Sequence, residues 1–392
     1  MFVKKFLNLP FLILTLIILI MSFGRYVDIS VKSQLLAASL FLKDLIIFIL
    51  PVLIFSFVLG GILNFKNESI KIILIVVPLV CVSNFIGFWI SYIFTAPVLE
   101  TGIVAISKLE SQNALCPAWS LKIPSLVKND MALLMGAAMG ILGTFLKIDC
   151  VNKVSEKLNV VANFILKKVI CPVLPLFITG FIIKMQHEGT LNLMIKDYAL
   201  FLGIYGIIAY GYMFVLLFFL SNRNVSSAAE RFKNLIPSIL TGLFTTSSAA
   251  AIPVTIEGSE KNLKNKNLAR FIIPTTANMH LLGDCIAIPT IGLALMVSFG
   301  YGIPTIGQYF IFTLYGVVTK FAGAGIPGGS ALVFLPVLES VFGFSAPMLT
   351  ALTAVYIIFD PIATSANVFG HGIFAMLFEK VCGKVFRKSL KQ

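Results

Sequence analysis

The sequence predicts an all-α, polytopic membrane protein, and three observations carry that prediction. Of 392 residues, 58% are hydrophobic and only 12% are charged, where a soluble domain averages about 25% charged. Mean hydropathy is +0.98. Apolar runs fall near 8–24, 36–64, 70–95, 131–147, 158–184 and 195–221, close to or above the roughly 20 residues that a helix needs to cross a bilayer. Water cannot solvate that much apolar surface, so part of the solvent is lipid. Intrinsic disorder, a nucleic-acid-binding domain and a secreted disulfide scaffold are excluded on the same grounds. At about 20 residues per crossing the chain holds eight to ten membrane segments.

The formal charge of +13 (30 Lys and Arg against 17 Asp and Glu) reads as the positive-inside rule rather than as a footprint for nucleic acid. Basic clusters stand at Lys4/Lys5, Lys66/Lys71, Lys147/Lys153/Lys157, Arg223/Arg231/Lys233, Lys261–Arg270 and Lys380–Lys391. If six helices alternate, all of these share one side. The expectation is a multi-pass protein of the plasma (inner) membrane with both termini cytoplasmic. The run Phe11 to Phe23 follows Lys4 and Lys5, but no small-residue cleavage site follows it, so it reads as a retained first helix. The stretch Glu100 to Asp130 is too polar and irregular to span and reads as an external loop. The six cysteines are scattered, form no CxxC pair and read as small hydrophobes.

Texture changes after residue 230. Thr245-Thr246-Ser247-Ser248-Ala249-Ala250-Ala251-Ile252-Pro253 and Ala322-Gly323-Ala324-Gly325-Ile326-Pro327-Gly328-Gly329-Ser330 place small residues and proline inside apolar surroundings. Non-helical backbone at membrane depth survives only when buried in protein or lining a wet cavity. Two such segments therefore predict re-entrant hairpins and a binding site near the midplane. The boundaries expected are an N-terminal six-helix part over 1–230 and a core over 231–392. Within the core lie a first hairpin at about 232–260, a seventh helix at about 267–299, a second hairpin at about 308–343 and an eighth helix at about 347–380.

Two constellations carry chemistry. Tyr356, Asp360, Thr364, Asn367 and His371 recur at steps of four, four, three and four, which puts them on one face of one helix. Ile358, Ile362, Val368 and Phe369 make the other face apolar. An unpaired Asp in lipid is costly, so this stripe faces a cavity or a partner. The second constellation is Asn278-Met279-His280 with Asp284 four residues beyond His280, flanked by Pro274 and Pro289. At that spacing His280 and Asp284 form a charge pair or offer two metal ligands. With three histidines and no HExxH, a metal site is not expected. No GxSxG or Walker loop supports hydrolase or ATP-driven chemistry.

At these residues the chain resembles the dicarboxylate/amino acid:cation symporter family, the glutamate-transporter fold. Ser247-Ser248-Ala249-Ala250 with Pro253-Val254-Thr255 resembles its first hairpin tip. Asn278-Met279 resembles the start of its Asn-Met-Asp-Gly-Thr motif, and Gly323 to Gly329 its second hairpin tip. Asp360, Thr364 and Asn367 match its eighth-helix pattern. The resemblance covers essentially the whole chain. It implies eight transmembrane helices plus two re-entrant helical hairpins, an elevator-type mechanism, a homotrimer in a lipid bilayer, an amino acid as substrate and a coupling cation, proton or sodium, with no other cofactor. It also implies roles. Asp360 pairs with the substrate ammonium, while Thr364 and Asn367 bond its carboxylate or side chain. Ser247, Ser248, Ile326, Pro327 and Gly328 close over it, and Asn278, Asn367 and the residues at 280 and 371 serve the cation.

Three departures shape the expectation. Members that take acidic substrates carry an Arg three residues after the Asp, where this chain has Ala363. Some members instead place that Arg where Thr246 stands. Two sodium aspartates of the pattern are replaced by His280 and His371, so proton coupling is expected over sodium. The reading is a symporter of a small neutral amino acid such as serine, threonine or alanine, nearer the serine/threonine branch. An acidic amino acid or C4-dicarboxylate carrier, its positive charge supplied by protonated His280 or His371, is the alternative. A degenerate carrier acting as sensor or channel, or an intramembrane enzyme using His280, Asp284, Asp360 and His371, are readings from other classes.

Overall fold

The computed structural model describes residues 9–63, 70–101, 115–121, 123, 129–146, 149–189, 191–322 and 328–389, and among them every regular element is helical. Seven helices fill the first part: α1 (Leu9–Phe23), α2 (Ile29–Leu63), α3 (Ile70–Glu100), α4 (Asn129–Leu146), α5 (Asp149–Ile165), α6 (Cys171–His187) and α7 (Leu191–Leu220). The span expected over 158–184 is not one straight helix. α5 and α6 meet through a π-helical turn at Leu166–Ile170 and bend by 45°. Pro172 and Pro175 lie in the first turns of α6, where each withdraws a backbone donor and the ladder must break.

The second part holds α8 (Val225–Thr245), α9 (Ser248–Asn262), α10 (Lys266–Thr276), α11 (Leu282–Ser298), α12 (Ile306–Thr319), α13 (Gly329–Phe342) and α14 (Ala346–Ser389). Local chemistry sets these ends. Asn224 caps α8 by accepting the Ser227 N–H at 2.9 Å. Thr305 and Gln308 close a reciprocal capping box on α12. Between α8 and α9 the chain reverses at Thr246, which sits in the left-handed region at φ 50° and donates its N–H to the Gly242 carbonyl. Ser247 then caps α9 by accepting the Ala250 N–H.

Leu74–Glu100, Asp197–Leu220 and Ala346–Val381 are long and apolar enough to cross a membrane. Large apolar side chains such as Phe23, Val160, Ile207 and Phe244 are exposed on the outside, as expected where lipid replaces water. α14 is the inner axis of the second part. α8, α9, α10, α11 and α13 all pack against it, and α3 covers α11 and α12. Val368 and Phe369, on its apolar face, are as fully buried as the polar stripe. That face is therefore enclosed at Val368 and Phe369, while Ile358 and Ile362 nearer its N-terminus stay half-buried.

Close approach of α11 to α14 depends on Gly283. A Cβ there would collide with the Ala363 carbonyl oxygen, and would lie 2.9 Å from the Ala366 Cβ. Gly283→Ala is expected to lower the melting temperature in detergent, since overpacking of this kind costs about 1–3 kcal/mol. Gly203→Ala, in α7 with open space around the added carbon, should leave it unchanged or slightly raise it.

Candidate functional site

The site is built where helix ends meet at the middle of the second part. α10 and α11 are separated by a turn over Ala277 to Leu281. That break cancels the helical periodicity between His280 and Asp284, so the pairing expected from their spacing is not made. His280 instead turns to α3, its Nε2 lying 2.8 Å from Ser83 Oγ, with its ring against Phe374. Asn84 donates its Nδ2 hydrogen to the Met279 carbonyl at 2.7 Å and fastens the same turn. His371 Nε2 lies 2.9 Å from the His280 carbonyl oxygen, which can only accept, so this nitrogen carries the proton. The two imidazole rings are 6.3 Å apart. Asn278 is exposed on the turn and is not gathered with them.

Asp284, in the first turn of α11, is the hub. Its Oδ1 accepts from Tyr356 Oη at 2.8 Å and from Asn367 Nδ2 at 3.0 Å. Its backbone N–H donates to Asn367 Oδ1 at 3.1 Å, and this reciprocal pair fixes the orientation of the Asn367 amide. Its Oδ2 accepts from Ser330 Oγ at the start of α13. Lys320, in a 3-10 turn that follows α12, brings its Nζ to 3.5 Å from the same oxygen. Both side chains of that ion pair are 1% exposed.

Asp360 lies next to this hub and is equally enclosed. Its Oδ2 accepts the Gly328 N–H at 2.8 Å and its Oδ1 accepts the Thr364 hydroxyl at 3.0 Å. Gly328 reaches it from the left-handed region, φ 72°, with Ile357 standing where a side chain would begin. Among the described residues no Lys, Arg or His forms an ion pair with Asp360. Hairpin α8–α9 closes the other side, with Gly242 packed against Thr364, Ser365 and Val368. Ser247 and Ser248 lie at its tip, Ser248 buried. Ile326 and Pro327 lie outside the described residues.

A buried carboxylate that pairs with no cation among the described residues, and accepts from one hairpin N–H and one helix hydroxyl, suits a small ligand carrying an ammonium. The sequence profile of the Sodium:dicarboxylate symporter family matches residues 9–381. The chain belongs to that family. It is similar to the serine/threonine transporter SstT of Acinetobacter baumannii, 32% identical over 136 residues, which are 35% of this chain and 34% of that protein. It is also similar to excitatory amino acid transporter 1 of Mus musculus, 27% identical over 206 residues covering 52% of this chain and 37% of that one. Excitatory amino acid transporter 5 of Homo sapiens is 24% identical over 216 residues, 54% of this chain and 37% of its own length. The matched part thus spans about a third of the length of these curated relatives. The family is named for symporters, which are membrane carriers.

Sequence reasoning missed Lys320, and with it the partner of Asp284. The signal was present, because Lys320 interrupts an apolar run just before the glycine-rich breaker, and an ionisable residue within a membrane segment is a functional candidate by default. Ser83 and Asn84 carried no such signal. Removing one half of a buried pair leaves an uncompensated charge and costs about 3–5 kcal/mol. Asp284→Ala should therefore lower the melting temperature steeply. Asp284→Ala combined with Lys320→Met should recover most of that loss.

Proposed function

We propose that the chain is a secondary active symporter that moves a small neutral amino acid, such as serine, threonine or alanine, by an elevator movement of its C-terminal core within a homotrimer. The observation that carries this reading is Asp360, a buried carboxylate that meets only hydrogen-bond donors and no protein cation among the described residues. It is assigned to the substrate ammonium. Thr364, Ser247, Ser248, the backbone at Gly328 and the second amide hydrogen of Asn367 are assigned to the remaining polar atoms, and Ile326 and Pro327 to the closing tip. Ala363 and Thr246 leave the pocket without a guanidinium to clamp a second carboxylate. The similarity of part of the chain to a serine/threonine transporter supports the same choice.

Coupling is assigned to a cation gradient, proton ahead of sodium, with Asn278, Asn367, His280 and His371 around the ion path. His280 Nδ1 is buried without a hydrogen-bond partner among the described residues, which leaves a ring position open for a proton. His280 is faced by Ser83, Phe374 and His371, and among the described residues by no carboxylate within ion-pair distance.

Asp360→Asn should weaken amino acid binding ten- to a hundredfold in a thermal-shift titration, because a charge-assisted hydrogen bond is worth about 1.5–3 kcal/mol. Unchanged binding would remove the ammonium site. Ala363→Arg should shift preference toward aspartate or glutamate in the same assay. Uptake into proteoliposomes should persist when choline replaces sodium and rise when the outside is held at about pH 6 against about pH 7.5 inside. Strict sodium dependence without a response to the pH gradient would refute the proton assignment.

A further inference from the structure

We infer that the Lys320 ammonium is a tethered cation that occupies, permanently and from within the chain, the place of a mobile coupling ion beside Asp284. This rests on the reading of the chain as a cation-coupled carrier.

Two features lie against its Nζ, and the place of Lys320 in the chain adds a third. The Asp284 carboxylate lies 3.5 Å away and the face of Phe334 lies 4.5 Å from it to the ring centroid. Lys320 itself is the C-terminal cap of α12, where the partial negative charge of the helix end gathers. A carboxylate, an aromatic face and a helix C-terminus are each cation-stabilising on their own. Together they make a cation site, and the side chain that fills it makes no ordinary hydrogen bond there among the described residues. An ammonium held only by charge is in the position of an ion rather than of a structural donor.

The charge balance points the same way. Among the described residues Asp284 and Asp360 are the only buried acidic side chains. Lys320 neutralises the first, so two carboxylates and one ammonium leave a single negative charge, on Asp360. A zwitterionic amino acid can offset that charge with its own ammonium. Among the described buried side chains a free sodium ion would find no unpaired carboxylate once the substrate is bound. The tether also serves as mechanical linkage. Lys320 belongs to the first arm of hairpin α12–α13, Ser330 and Phe334 to the second, and all three converge on Asp284 or its cation. A diffusible ion would hold the hairpin to α11 only when bound, whereas Lys320 holds it at every sodium concentration.

The test uses the full chain in detergent with no amino acid present, so its outcome is independent of which substrate is carried. Wild type should melt at the same temperature in sodium chloride and in choline chloride. Lys320→Ala should melt lower in choline, and methylammonium chloride or sodium chloride should restore most of the loss in a saturable way. Lys320→Ala with Asp284→Asn, which lacks both charges, should ignore all three salts. A wild type stabilised by sodium over choline would overturn the inference. So would a Lys320→Ala whose lowered melting temperature responds to neither methylammonium nor sodium. Where Lys320→Ala does not fold, the near-isosteric Lys320→Met and the wild-type response to sodium decide in the same way.

Discussion

Helices α11, α13 and α14 and the turn after α12 meet around one buried carboxylate that must not be left alone. A charge at membrane depth is tolerated only when paired and hydrogen-bonded, and Asp284 collects its partners from three separate elements. Tyr356 and Asn367 come from α14, Ser330 from α13 and Lys320 from the turn after α12. Each partner is a long-range contact, so satisfying this carboxylate fixes where hairpin α12–α13 sits against α11 and α14. The geometry of Asp360 follows, because Gly328 and Thr364 belong to those same elements.

The hub needs backbones that come closer than ordinary helices do. Gly283 lets α11 press onto the Ala363 carbonyl, and this brings the Asp284 N–H within reach of Asn367. The break between α10 and α11 frees the first turn of α11, whose N–H groups have no intrahelical acceptors. Asn367 satisfies one of them. The break also explains why His280 belongs to a different neighbourhood, with Ser83 and Phe374, although it is only four residues from Asp284.

Two carboxylates in one low-dielectric core are thereby given different tasks. Asp284 is saturated by the protein and acts as a fastening. Among the described residues Asp360 accepts two hydrogen bonds, from the Gly328 N–H and the Thr364 hydroxyl, and a carboxylate has about four acceptor positions. An ammonium can join it without displacing either donor. In the proposed function the Gly328 N–H and the ligand ammonium share this one side chain.

The sequence by itself determined the all-helical class, the helical stripe of α14 and the break at Thr246–Ser247; most of the second breaker segment lies outside the described residues. These follow from composition, from a 3.6-residue period and from residues that cannot continue a helix, all of which are local. It also showed the loss of the Arg at 363 and the two histidines, because an identity at a motif position needs no coordinates. Only the tertiary structure decided how the polar groups pair. Spacing placed His280 with Asp284, but His280 lies in the turn before α11 and not on the helix that carries Asp284. Lys320 lay 36 positions from Asp284 in the chain and became its counter-ion because two helix ends converge. Ser83 reached His280 across 197 positions. Periodicity describes one element at a time, and partners of buried charges are chosen between elements, where only packing brings them together.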